Sequence, residues 1–164
     1  MVHDTARWAS VQQFLGREAL LLDEKKWDEF LALYEPGAEY WVPAWDDSGR
    51  LTADPKTEIS LIYYPDRSGL EDRVFRIRTG RSAASTPEIR TLHLFTLLSV
   101  AESGDGVQTR SNWMTQSFRD DQIITYRGWA EHRLVPQGDS WAIAGKRTVV
   151  LDPITDTVLD FYMI

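Results

Sequence analysis

The chain has three histidines, His3, His93 and His132, among 164 residues, and it has no cysteine. That donor set narrows the chemistry. Without thiols there is no disulfide, no thiolate-held iron–sulfur cluster and no thiol nucleophile. A mononuclear non-haem iron site takes two His and one carboxylate. His93 and His132 fall on different predicted strands and would have to meet across a sheet, while His3 sits near the terminus. No G-x-S-x-G nucleophile elbow is present. Gly104-x-Gly106 leads into a strand pattern rather than a helix, so it does not make a phosphate loop.

Four polar residues, Asp28, Tyr40, His93 and Asn112, are candidates for lining an interior hollow, with Tyr63 as a fifth. A buried imidazole beside a carboxylate and tyrosines can move protons on a carbonyl compound, with His93 and Asp28 as the pair. The competing expectation is that these groups hydrogen-bond to one another and that the aromatics fill the space. A second group points to contacts with another chain. Between residues 40 and 64, Trp41, Trp45, Tyr63 and Tyr64 surround a segment rich in Asp, Pro and Gly, a pattern of aromatic anchors with a charged rim. The alternative is a loop that buries its own tryptophans. Arg67, Arg73, Arg76, Arg78, Arg81 and Arg90 offer forks for carboxylates, with Arg67 and Arg81 as expected ionic partners across an interface. The apolar end, residues 157–164 and including Tyr162, has to be tied down, either on a neighbouring subunit or within its own chain.

The elements that position these residues follow from periodicity. Trp8, Val11, Leu15, Ala19 and Leu22 form one helical stripe over residues 4–22. Asp23 is expected to cap a second helix through residue 34, ended by Pro36-Gly37, with a short strand at 39–42. Residues 57–64 and 66–78 read as two further helices. From residue 90 the pattern changes to β-branched and aromatic runs at 91–102, 107–119, 123–135 and 141–151, separated by turn residues, which predicts an antiparallel meander. Helices followed by strands indicate an α+β fold, with helices on one face of a bent sheet and an apolar hollow between. The length fits a single domain over residues 1–164. The net charge of −7 argues against nucleic acid and anionic membranes as partners. No run approaches the roughly 20 apolar residues of a membrane span, no secretory signal is visible, and the lack of cysteine fits a reducing cytoplasm.

Several long segments resemble the small (beta) subunit of aromatic-ring-hydroxylating dioxygenases, in the branch acting on benzoate, toluate and anthranilate. They are L-Y-E-P-G-A-E-Y-W-V-P-A-W-D-D at 33–47, E-I-S-L-I-Y-Y-P-D-R-S-G-L-E-D-R-V-F-R-I-R-T at 58–79, R-T-L-H at 90–93, K-R-T-V-V-L at 146–151 and V-L-D-F-Y-M-I at 158–164. Leu94 to Leu97 are more apolar than that branch leads one to expect, and Met163 stands where a His is expected. The resemblance implies the cone-shaped fold of nuclear transport factor 2 (NTF2) and scytalone dehydratase. It implies a non-catalytic chain in an α3β3 hexamer, with the small subunits forming a trimer. The Rieske [2Fe-2S] cluster and mononuclear Fe(II) would lie in the large subunit, and a reductase would supply electrons from NADH. Since the same cone also hosts enzymes, a stand-alone dehydratase or isomerase, or a small-molecule-binding protein, is the alternative.

Overall fold

The computed structural model describes residues 4–80, 89–152 and 158–164, so Arg81 and His3 lie outside the described residues. Helix α1 spans Thr5–Asp23, started by the Asp4 carboxylate, which accepts from the Arg7 amide. Its stripe of Val11, Phe14, Leu15 and Leu22 is buried, as the spacing requires. The next helix, α2, is only Trp27–Leu31. The expected longer helix fails at both ends. Lys25 takes a left-handed backbone (φ 56°), and the Asp23 carboxylate that was to cap the helix is engaged by the third strand instead. At the far end Tyr34 already belongs to strand β1, Tyr34–Pro43.

Pro36-Gly37 does not stop an element. It sits within β1, where the pairing with the last strand skips from Tyr34 to Glu39, an irregularity that accommodates a proline without an N–H. Residues 60–64, expected as part of a helix, form β2 (Ser60–Tyr64), a short edge strand whose Tyr63 and Tyr64 pair with Trp41 and Tyr40. Helix α3, Ser68–Arg78, follows as expected and buries Leu70 and Val74. Then come β3 (Arg90–Ser103), β4 (Gly106–Arg119), β5 (Gln122–Gln137) and β6 (Ser140–Val150), the meander read from the turn residues. The turn between β4 and β5 puts both Asp120 and Asp121 at positive φ, which Asp tolerates better than most residues.

The strand order is β2-β1-β6-β5-β4-β3, antiparallel except for the β1–β6 pair, which is parallel. The sheet is therefore mixed. Helix α1 packs against both β3 and β6, which are separated by two other strands, so the sheet curls around it. The helices and the inner face share one core that includes Phe30, Tyr34, Val42, Leu70, Leu134 and Ile143. The chain's end joins it: Phe161–Met163 forms a short 3-10 turn, with Phe161 stacked on Phe30 at 5.4 Å between ring centres. The Arg73 guanidinium pairs with the buried Asp160 carboxylate and anchors this end to α3. Burial within the chain thus answers how residues 160–164 are held. No helix among the described residues is long and apolar enough to cross a membrane.

Candidate functional site

Strand alternation decides what faces the hollow. On β4, Ser111, Thr115 and Ser117 are buried while Asn112 is exposed, so Asn112 lies on the outer face and does not line the interior. Asp28 is also outside. It lies on the solvent side of α2 and pairs with Arg78 at 2.9 Å. His93 does line the interior, but its carboxylate is Asp23. Imidazole Nδ1 lies 2.6 Å from Asp23 Oδ1, and the same carboxylate accepts from the His93 amide and the Thr91 hydroxyl. These hydrogen bonds hold the Asp23 carboxyl below its ordinary range, although burial acts in the opposite direction. Tyr40 is buried in the core and its ring faces the Lys146 ammonium at 5.8 Å.

The densest polar cluster was not among the residues picked from the sequence. Glu18, on the buried face of α1, accepts from the Tyr34 hydroxyl (2.6 Å), from Lys146 Nζ (2.9 Å) and from His132 Nε2 (3.0 Å). All four residues are buried. Burial would push the Glu18 carboxyl up, but the Lys146 ammonium and the surrounding donors outweigh it and hold the group well below the usual carboxylate range. Burial lowers the His132 pKa, and Glu18 only partly opposes that. His132 is therefore a neutral hydrogen-bond donor, and the charge on Glu18 is balanced by Lys146. The same burial, with Glu18 beside it, raises the Tyr34 hydroxyl far above its ordinary value. A signal for this cluster existed in the sequence. Glu18 interrupts an apolar stripe between Leu15 and Leu22, and His132 and Lys146 hold inward phases on strands whose inward neighbours are Ala130, Leu134 and Thr148.

Both clusters border one cavity of about 50 Å3, lined by α1, β3 to β6 and Ile164. At about 10–15 Å3 per water, it has space for a few water molecules and not for an aromatic ring. Leu15, Leu22, Phe95, Trp113 and Ile164 fill what a larger pocket would need. Among the described residues, no group of three or more His, Asp or Glu side chains is placed to hold a metal ion.

The interface candidates divide. Tyr162 is packed against Trp27 and Phe161 and is buried in its own chain, which corrects its assignment to a partner contact. Trp41 is likewise buried, with its indole donating to Ser60 Oγ at 2.9 Å under the Arg147 guanidinium. Arg67 is engaged within the chain, donating to the Tyr34 carbonyl and to Glu71. Tyr64 packs beside Tyr40, and Tyr63 donates to Glu39. Trp45 is 44% exposed, steadied by an indole bond to the Val150 carbonyl. The loop around it is ordered by its own carboxylates. Asp46 accepts from the Ser48 and Arg50 amides, and Glu58 accepts from the Ala53 and Asp54 amides and from Arg50. Glu58, with Arg50 as its main partner, has its pKa lowered to about 2.

The sequence pattern of the ring hydroxylating beta subunit family matches residues 17–157. The chain belongs to that family. It is 45% identical over 163 residues to the benzoate 1,2-dioxygenase beta subunit of Acinetobacter baylyi, covering 98% of this chain and 96% of that one. It is 43% identical over 159 residues to the toluate 1,2-dioxygenase beta subunit of Pseudomonas putida, covering 96% and 98% of the two chains. The solved beta subunit of benzoate 1,2-dioxygenase from Burkholderia mallei superposes with a TM-score of 0.75 at 41% identity, covering 95% of this chain and 96% of that one. A chain of naphthalene 1,2-dioxygenase shares the fold at 16% identity, with a TM-score of 0.77 over 98% of this chain and 86% of its own. The α+β cone expected from the resemblance, the NTF2-like architecture, is the one observed. A beta subunit works beside a large oxygenase subunit, and oxygenation is carried out by the assembled enzyme.

Proposed function

We propose that this chain is the non-catalytic, organising subunit of a Rieske non-haem iron oxygenase that degrades an aromatic acid such as benzoate or anthranilate. The observation that carries this reading is the likeness, along nearly the whole chain, to small subunits of dioxygenases for benzoate and toluate. The interior supports it. Glu18 engages Lys146 and His132, Asp23 engages His93, and the cavity has no room for an aromatic substrate. A Rieske cluster takes two Cys and two His, and a chain with no cysteine leaves that centre to its partner.

In this reading the chain acts as one domain in the cytoplasm. The large subunit carries the Rieske [2Fe-2S] cluster and the mononuclear Fe(II), and a reductase supplies the electrons. Three copies of each chain form an α3β3 hexamer in which the small subunits fix the spacing of the catalytic chains. Trp45 and Tyr63 remain candidates for contact with the large subunit. Arg81 is a candidate ionic partner there. Obligate interfaces of this kind typically bury more than about 2,000 Å2.

The test is co-expression of this chain, tagged, with a large subunit of the benzoate-type enzymes, followed by mass measurement of what co-purifies. Equal numbers of the two chains in one particle are expected. Recovery of the tagged chain alone, under conditions where the large subunit is folded and soluble, would overturn the reading.

A further inference from the structure

Four polar side-chain atoms on residues around the inner cavity have no hydrogen-bond partner among the described residues. They are His93 Nε2, Trp113 Nε1, His132 Nδ1 and Thr148 Oγ1, and each is closed off from bulk solvent. One comes from each of the meander strands β3, β4, β5 and β6, and all four residues line the same cavity of about 50 Å3. The two imidazoles are firmly held. The His93 side chain is 8% exposed, with Nδ1 against Asp23, and the His132 side chain is 4% exposed, with Nε2 against Glu18. Each ring uses one nitrogen on a carboxylate of α1 and keeps the other. A buried polar atom left without a partner costs its full desolvation, so four of them around one space point to an occupant.

The chemistry of the four atoms selects that occupant. His132 donates through Nε2 and therefore presents Nδ1 as an acceptor. The Trp113 indole N–H only donates, and the Thr148 hydroxyl does both. A simple anion has no proton for His132 Nδ1 and would lie beside the Glu18 carboxylate, which lines the same cavity. A cation accepts nothing from the Trp113 N–H. Water gives and accepts, and the space suits a few molecules of it. The spacing agrees. Glu18 and Asp23 are five residues apart on α1, which anchors their imidazoles at points about 7.5 Å apart along the helix axis. Hydrogen-bonded waters stand about 2.8 Å apart, so about two or three of them span that gap.

We propose that this cavity is a water-binding site, holding a short water chain that runs from His93 Nε2 to His132 Nδ1 and bonds on the way to Trp113 Nε1 and Thr148 Oγ1. The chain joins the Asp23–His93 pair and the Glu18–His132–Lys146 cluster into one network, which ties α1 to all four meander strands. The site does not depend on which chains this one assembles with.

The experiment is a high-resolution crystal structure of the full chain, with NMR detection of long-lived water at the His93 and His132 ring protons in solution. Linked waters are expected in the cavity, one within hydrogen-bond distance of His93 Nε2 and one of His132 Nδ1, with water cross-peaks at both rings. A wild-type cavity without ordered water at these nitrogens would overturn the proposal. Ala130→Leu, at a position lining the cavity, is expected to abolish both cross-peaks while circular dichroism shows the fold kept. Cross-peaks of wild-type strength in that folded variant would sink the assignment. Should Ala130→Leu not fold, Thr148→Val takes its place. Its crystal is expected to lack the water bonded to Oγ1, and retention of every cavity water would count against the chain.

Discussion

Glu18→Gln is the perturbation whose size is best defined by the structure. The side chains are nearly isosteric, so packing against Leu15 and Leu22 is kept. What changes is charge: Lys146 Nζ, 2.9 Å away and buried, loses its counter-ion, and the Tyr34 and His132 donors lose a charged acceptor. Removing one partner of a buried ion pair costs about 3–5 kcal/mol, because the other charge stays buried without compensation. In a domain of this size that corresponds to a melting temperature lower by roughly 6–20 °C. Urea titration at neutral pH and fixed protein concentration measures it directly. Adding Lys146→Met to Glu18→Gln removes the stranded charge and should restore more than half of the loss, since apolar replacement of a whole buried pair is often neutral. A loss below about 1 kcal/mol for Glu18→Gln, the range of surface pairs, would refute the reasoning by placing the pair in water.

Stability is expected to fall on acidification in two stages. Neutral His132 in the native state means that the unfolded chain binds the extra proton below about pH 6.5, so stability is present above that value and declines beneath it. The depressed Glu18 carboxyl contributes to a second decline below about pH 4.5, the ordinary value, alongside Asp23 and Glu58, and Glu18→Gln makes that limb shallower in urea titrations across pH. Gly128→Ala should destabilise by at least about 1–3 kcal/mol, because a Cβ there would lie 1.8 Å from the Val149 carbonyl oxygen. Gly16→Ala, in α1 with open space around it, should instead stabilise by about 0.5–1 kcal/mol by thermal melt. Glu58→Gln should speed hydrogen exchange at the Ala53 and Asp54 amides and leave the β5–β6 ladder unchanged.

Local patterns in the sequence carried α1, α3 and the four-strand meander, because each is a long run of a single period ended by turn residues. Segments whose neighbours override local preference were not legible. Residues 60–64 could serve helix or strand, and only pairing with β1 settles them. Pro36-Gly37 signals a break, yet the parallel pairing of β1 with β6 tolerates it as an irregularity. Within the site, His93 was legible as an inward residue, but its partner was assigned five positions too far along. Asp23, expected as a helix cap, is bound by Thr91 and His93 instead. Asn112 missed by one step of strand phase, which moves a side chain to the opposite face. Glu18 was passed over although its place in an apolar stripe marked it, since a buried charge is identified by partners distant in sequence, His132 and Lys146.

The central claim is that this chain shapes an oxygenase without taking part in its chemistry. Turnover per iron of the assembled two-chain enzyme on an aromatic acid tests it most directly, with wild-type chain compared against His93→Gln and His132→Gln. Equal kcat within about twofold in particles of unchanged mass is the result predicted; a loss of about 100-fold or more, the scale of a removed acid–base group, in intact particles would contradict it.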